Sequence, residues 1–301
     1  MGLYPPIVSS NPPVLTRRFR SVEFFVDASR GSDSSARSGN RPEKPLLTIK
    51  EAISRCTDGE MNIISVINPG HTVETTPIVI DVNHVTIRGW PNQIPGQSPM
   101  CTLIAPTDTA YFTIAARDVV IRDFTIHAGA SWPAINHSIT PWSWRTGIHN
   151  ITFKAGLWGY AQGNEAGTGH AFDSPAHEFA VTNCRFLAPL TGGIRLESNG
   201  SWGLIADNFF EGLTEGIQAA IGCQSAGVRI LRNLFMMANE NEGCAIYVGN
   251  QTARWFIANN VANDASVTAS ANNPFRDDSI LNAWHGNYSG ADVDCTPNAP
   301  V

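Results

Sequence analysis

Five residues able to move protons fall within fourteen positions of one loop: Glu165, His170, Asp173, His177 and Glu178. Imidazoles and carboxylates gathered this closely are the groups that general acid–base catalysis uses. A second candidate set is Arg195 and Glu197, which alternate along one short apolar stretch and therefore point to the same face. Glu211 and Glu215 follow on the next turn of chain. Each group also has a plainer reading. His and Asp in a glycine-rich loop form turns, and an exposed Arg–Glu pair contributes about 0–1 kcal/mol of stability. Trp132, Trp142, Trp144 and Trp158 gather in and around two inserted loops, with Tyr160 nearby. They are suited to stack on sugar rings, to anchor a neighbouring subunit, or to pack onto their own scaffold.

That scaffold is a repeat. Val181-Thr-Asn-Cys-Arg-Phe186, Ile205-Ala-Asp-Asn-Phe-Phe210, Ile230-Leu-Arg-Asn-Leu-Phe235 and Ile257-Ala-Asn-Asn-Val-Ala262 are variations on one phrase, starting 24, 25 and 27 residues apart. The first three are followed by a second apolar stretch: Gly193-Ile-Arg-Leu, Gly216-Ile-Gln-Ala-Ala-Ile and Cys244-Ala-Ile-Tyr-Val. A period near 25 residues marks a solenoid, because one such unit cannot bury its apolar face alone. Ile87, Ile121 and Ile148 extend the first column upstream at intervals of 34, 27 and 33 residues, which places inserted loops at 91–100, 129–145 and 155–176. Asn208, Asn233 and Asn260, with Cys184 one unit earlier, form an inside-turn column expected to hydrogen-bond from rung to rung. Phe186, Phe210 and Phe235 form an aromatic column expected in the core.

Upstream, residues 1–22 read as an extended arm, with Pro5, Pro6, Pro12 and Pro13 excluding helix and Arg17, Arg18 and Arg20 forming a basic patch. Such a segment needs a partner to order it. An alternating strand begins at Val22. A helix is expected at 47–56, with Thr48 and Glu51 as a capping box and Ile49, Ala52, Ile53 and Cys56 on one stripe. One amphipathic helix ahead of a run of strands suits a lid over the end of a solenoid. The pattern fades after Asn263, so the reading is one β-helix domain over 23–265 and a terminal loop or cap segment over 266–301.

Phe24-Phe-Val-Asp27, the loop Gly31-Ser-Asp-Ser-Ser with Gly39-Asn-Arg-Pro, and Leu47-Thr-Ile-Lys-Glu-Ala-Ile53 resemble the N-terminal opening of the pectin-lyase-like right-handed parallel β-helix superfamily. The Asn-x-Phe and Gly-Ile phrases resemble its rungs. The resemblance covers about residues 22–265 and implies an all-β right-handed parallel β-helix with a capping α-helix and an extended arm. It does not select a function, because the superfamily includes polysaccharide lyases, glycoside hydrolases, phage tailspikes and non-catalytic virion proteins. Its lyases need cations and an Arg or Lys base, and its hydrolases need paired carboxylates. Gly169-His170 with Asp173 has a hydrolase-like look, but the paired-Asp and Arg-Ile-Lys phrases are missing.

Composition narrows the field. A net charge of −6 gives no reason to expect nucleic acid, and no apolar run is long enough for a membrane span. Only 15% of residues are charged and three are lysine, which describes a polar, turn-rich surface. The start Met-Gly-Leu-Tyr-Pro-Pro shows no secretory pattern, so synthesis in a host cytoplasm and residence in a virion are expected. No cofactor and no metal ligand set is expected, and the six cysteines read as buried thiols. The expected function is a non-catalytic bacteriophage virion protein: a capsid decoration or cement protein, or a small spike module. It would form a homotrimer and dock on the major capsid protein or neighbouring copies through Arg17, Arg18, Arg20, Trp132, Trp142 and Trp144. The alternative is a lyase or hydrolase, including a phage depolymerase, acting on an acidic polysaccharide. Its candidates are His170, Asp173, His177, Glu178, Arg195 and Glu197, and a glycan is a possible partner of either form.

Overall fold

The computed structural model describes most of residues 21–289. Residues 1–20, 91–100, 163–177, 197–201, 263–274 and 290–301, with shorter stretches between strands, lie outside the described residues. The chain is an all-β solenoid of the right-handed type, with nearly every strand parallel to its successor one turn later. Its strands form two sheets, one built from two strands per turn and the other from one.

The first column runs in continuous register through Phe24, Ile64, Ile87, Ile121, Ile148, Val181, Ile205, Ile230, Ile257 and Trp284. Every member between the two ends is fully buried. The column expected from Ile87 to Ile257 is thus present, one residue per turn. β-Branched side chains suit it because they stand rigidly off a pleated surface and pack against the same residue in the next strand. On the following strand Phe153, Phe186, Phe210 and Phe235 stack with ring centroids 4.8, 4.6 and 4.5 Å apart.

The bend between these strands is made by two adjacent positions. The first is left-handed: Asn183, Asp207, Arg232, Asn259 and Gly286 have φ of 53 to 59°. The second is the asparagine column. Asn208, Asn233 and Asn260 each offer a side-chain oxygen to the backbone N–H of the previous rung's member, at 2.9–3.0 Å, beginning with Cys184. Each amide NH2 donates backwards to a carbonyl: Val181, Ile205 and Ile230 respectively. Asn287 continues the ladder, accepting from Asn260 and donating to Ile257.

Asn287 corrects the domain boundary. Strands Phe275–Asp277, Ala283–His285 and Tyr288–Ser289 add a rung beyond residue 265. Trp284-His-Gly-Asn-Tyr288 matches Ile257-Ala-Asn-Asn-Val261 at an interval of 27, with Trp replacing the usual aliphatic residue. The helix spans Ile49–Ser54, inside the expected 47–56, and buries Ile49, Ala52 and Ile53. Only half of the capping box forms: Thr48 Oγ1 accepts from the Glu51 amide, while Asp33, not Glu51, receives the Thr48 amide. Glu51 turns instead to Arg55 at 2.8 Å. The arm lies outside the described residues except Ser21 and Val22, which open the first strand, Ser21–Val26. The described cysteines, Cys56, Cys101, Cys184 and Cys244, carry thiols rather than disulfides. Among the described residues no helix is long and apolar enough to cross a membrane.

The Gly-Ile phrases have a packing cause. A Cβ on Gly193 would lie 2.4 Å from the ring of Phe210, and one on Gly216 would lie 2.7 Å from that of Phe235. Glycine on the single-strand sheet therefore makes room for the phenyl stack rising from the other sheet. Gly193→Ala is expected to cost about 1–3 kcal/mol, with partial relief in the Gly193→Ala/Phe210→Leu double variant. Strict additivity of the two changes in denaturant unfolding would contradict the packing account. Asn233→Ala, which strips partners from the buried Asn208 amides and the Ile205 carbonyl, is expected to cost roughly 2–4 kcal/mol. Asp207→Asn, at an exposed neighbouring bend position, should move the urea midpoint far less.

Candidate functional site

The single-strand sheet presents a row of polar side chains on its outer face. In Gly192–Leu196, Glu215–Ala219, Ile246–Val248 and Phe275–Asp277, alternation sends Ile194, Ile217, Ile246 and Phe275 inward. Arg195, Gln218, Tyr247 and Arg276, the next residue of each, therefore point outward, and the pairing stacks them in that order. Parallel strands lie about 4.8 Å apart, so the four side chains form a continuous ridge.

Two carboxylates flank the ridge and have opposite surroundings. Asp278 is held by Arg276 through paired contacts of 3.0 and 3.1 Å, and the Tyr247 hydroxyl donates to it at 2.9 Å. The Arg276 guanidinium also lies 5.1 Å from the Tyr247 ring centroid. Burial together with the hydrogen bond to Asp278 pushes the Tyr247 phenol up to about 12, so it stays protonated and acts as a hydrogen-bond donor. Glu215, opposite Gly192 at the start of its strand, is half-buried. Burial raises its carboxyl above the ordinary carboxylate range, and the Arg195 guanidinium opposes that shift. Cys244, on the next strand's approach, has its thiol raised by burial beside Arg276, Glu215 and Asp278. The ridge thus offers two guanidiniums, a phenol, an amide and one carboxyl inclined to keep its proton. Those groups can hold hydroxyl and carboxylate oxygens through charge-assisted hydrogen bonds.

The sequence-derived candidates scatter. Arg195 stands on the ridge, whereas Glu197 lies outside the described residues, so the expected pair is represented by Arg195 alone. Glu215 accompanies Arg195, but Glu211 does not: it belongs to strand Phe209–Glu211 of the other sheet. Glu178 sits at a left-handed bend, φ 58°, leading into strand Ala180–Thr182, on a different sheet from Arg195. His170, Asp173 and His177 lie outside the described residues, as do Arg17, Arg18, Arg20, Trp132 and Trp142. Trp144 is exposed beside Arg145, whose guanidinium grips Asp118 at 2.5 and 2.8 Å and holds that carboxyl below its ordinary range. Among the described residues no three His, Cys, Asp or Glu side chains are grouped to hold a metal.

Gln218, Tyr247, Arg276 and Asp278 are the residues that sequence reasoning passed over. The signal for the first two was present: Ile-Arg-Leu, Ile-Gln-Ala and Ile-Tyr-Val each carry one polar residue between two buried ones. Arg276 and Asp278 required recognition of the additional rung.

Glu215 yields a pH test. A carboxyl raised in the folded state stabilises fully below its unfolded pKa, and that contribution is lost as pH rises through the folded value. Glu215→Gln should therefore gain relative to the natural chain at about pH 7, with the gap closing towards about pH 4. A pH-independent difference in urea unfolding would show that Glu215 titrates normally.

No protein-family model and no characterised protein sequence matches the chain. Solved structures do resemble it. A GH136 lacto-N-biosidase from Eubacterium ramulus aligns over 87% of this chain and 67% of its own, with 8% identity and a TM-score of 0.45. A rhamnogalacturonan lyase aligns over 90% and 74%, with 11% identity and a TM-score of 0.41. Tailspike protein 3 of bacteriophage CBA120 aligns over 87% of this chain and 48% of its own, with 14% identity and a TM-score of 0.39. At these identities the likeness is one of fold. The stacked parallel rungs described above make this chain a parallel β-helix.

Proposed function

We propose that the chain is a structural module of a bacteriophage particle, a decoration protein or small spike component, that holds its place by docking and not by turning over a substrate. The observation carrying this reading is that several ionisable groups on its outer faces bind one another. Arg88 pairs with Glu23, Arg122 with Asp123, Arg145 with Asp118, Arg232 with Asp207 and Arg276 with Asp278, at 2.5–3.0 Å. Carboxylates committed to guanidinium partners suit a rigid surface, and among them Arg145 holds the Asp118 carboxyl below its ordinary range. In the same reading the basic arm, residues 1–20, reaches for an acidic particle surface, and helix Ile49–Ser54 serves as the lid of the solenoid.

The second reading, an enzyme acting on an acidic polysaccharide, is favoured by one observation: Glu215 is lifted beside Arg195 on a face able to receive sugar oxygens. Two measurements separate the readings. Incubation with uronate-containing and neutral polysaccharides should release neither unsaturated nor reducing ends; clear turnover, abolished in Glu215→Gln, would establish the enzyme. Removing residues 1–20 should abolish incorporation into particles while leaving the melting temperature nearly unchanged. A large loss of thermal stability would place the arm in the core instead.

A further inference from the structure

A stack of parallel strands ends in two edges, and an uncovered edge strand is a template for pairing with another chain. The two ends of this solenoid differ. The first strand, Ser21–Val26, pairs on one side with Met61–Val66, and part of its other side is occupied by the segment that leads into the helix. The Phe25 amide donates to the Gly39 carbonyl, the Leu46 amide to that of Phe25, and the Asp27 amide to that of Leu46, each at 2.8 Å. A Cβ on Gly31 would lie 2.1 Å from the Leu46 carbonyl oxygen, so the covering segment and the loop after the strand meet with no space between them. At the far end, Phe275–Asp277, Ala283–His285 and Tyr288–Ser289 pair with the preceding rung, and among the described residues no strand lies beyond them.

Two carboxylates pin this cover in place. Asp33 accepts the Leu47 amide at 2.7 Å, the Thr48 amide at 3.2 Å and the Thr48 hydroxyl at 2.7 Å. Glu74, buried between strands Gly70–His71 and Ile78–Ile80, accepts the Ile49 amide. Behind these bonds Leu46, Ile49, Ala52 and Ile53 are buried, and Arg55 donates to the Ser38 carbonyl at 2.8 Å. We infer that residues 39–54 are an edge guard: closed, they keep a second copy of the chain from adding to the first strand; opened, they permit head-to-tail growth. The matching edge is the last described rung of that second copy. Phe24 and Trp284 begin and end one column, so the two edges carry the same strand of the same sheet, running in the same direction, and can meet as successive rungs do. The two edges are different surfaces, so the contact is heterologous and does not close on itself, and growth is linear. The inference goes beyond the particle reading and does not depend on it.

In the full chain, Asp33→Ala/Glu74→Ala should raise the mass measured by light scattering above that of the natural chain, and the mass should go on rising with concentration. Gly31→Val, which wedges the loop against Leu46 without removing a charge, should do the same. Adding Phe25→Pro to either variant should reverse the growth. It removes the amide that faces the edge, while the pairing with Met61–Val66 uses the groups of the neighbouring residues. A proline placed in a strand would worsen general unfolding, so reversal separates strand addition from aggregation of a damaged chain. Opened variants that keep the mass of the natural chain at every concentration overturn the inference, and so does growth that Phe25→Pro leaves unchanged. Either failure leaves the virion reading standing, because incorporation into particles is measured separately.

Discussion

The asparagine ladder at the bend is the interaction on which the remaining structure depends. At each turn the chain must change direction between two strands of one sheet, and the backbone groups at the corner lose their regular partners. Asn208, Asn233, Asn260 and Asn287 restore them, each side chain accepting from one rung and donating to a carbonyl. A buried amide is costly unless all its groups are bonded, so the ladder stabilises only when every rung is in step. That requirement locks the register of the aliphatic column on one side of the bend and of the phenyl stack on the other. Cys184 begins the series because its amide can still donate to Asn208 and its thiol fills the buried volume.

With the interior constrained in this way, variation falls on the outward positions. The same alternation that buries Ile194, Ile217 and Ile246 leaves Arg195, Gln218 and Tyr247 outside, and on the other sheet leaves Leu234, Val261 and Tyr288. One face becomes a polar ridge and another an apolar row. Neither alters the core, which is how one scaffold can carry unrelated surfaces. Five arginines are tied to aspartates, and Glu215 is the described acid raised by burial.

The legible parts were those that depend on identity at a fixed spacing. Ile87 to Ile257, the asparagines and the phenylalanines each recur where one inward position must pack on the next, so their columns and their burial followed from the phrase alone. Glu211 failed because it ends one strand and Glu215 opens the next, and sequence adjacency does not reveal that the chain crosses from one sheet to the other between them. The rung at 275–289 failed because Trp284 and Gly286 replaced the expected aliphatic residue and asparagine, though Asn287 kept its place.

By itself the sequence determined the solenoid, its period, its core columns and the resemblance to parallel β-helices, because these follow from hydrophobic spacing and from the bonding needs of buried amides. Tertiary structure decided which charged residues meet. Asp278 finds Tyr247 from the neighbouring rung, Asp118 finds Arg145 across 27 positions, and Leu234 finds Val261 and Tyr288 by register. Such contacts depend on loop lengths that set how many residues separate one rung from the next. Those lengths vary between turns, so the partners of an outward side chain emerge only when the strands are stacked.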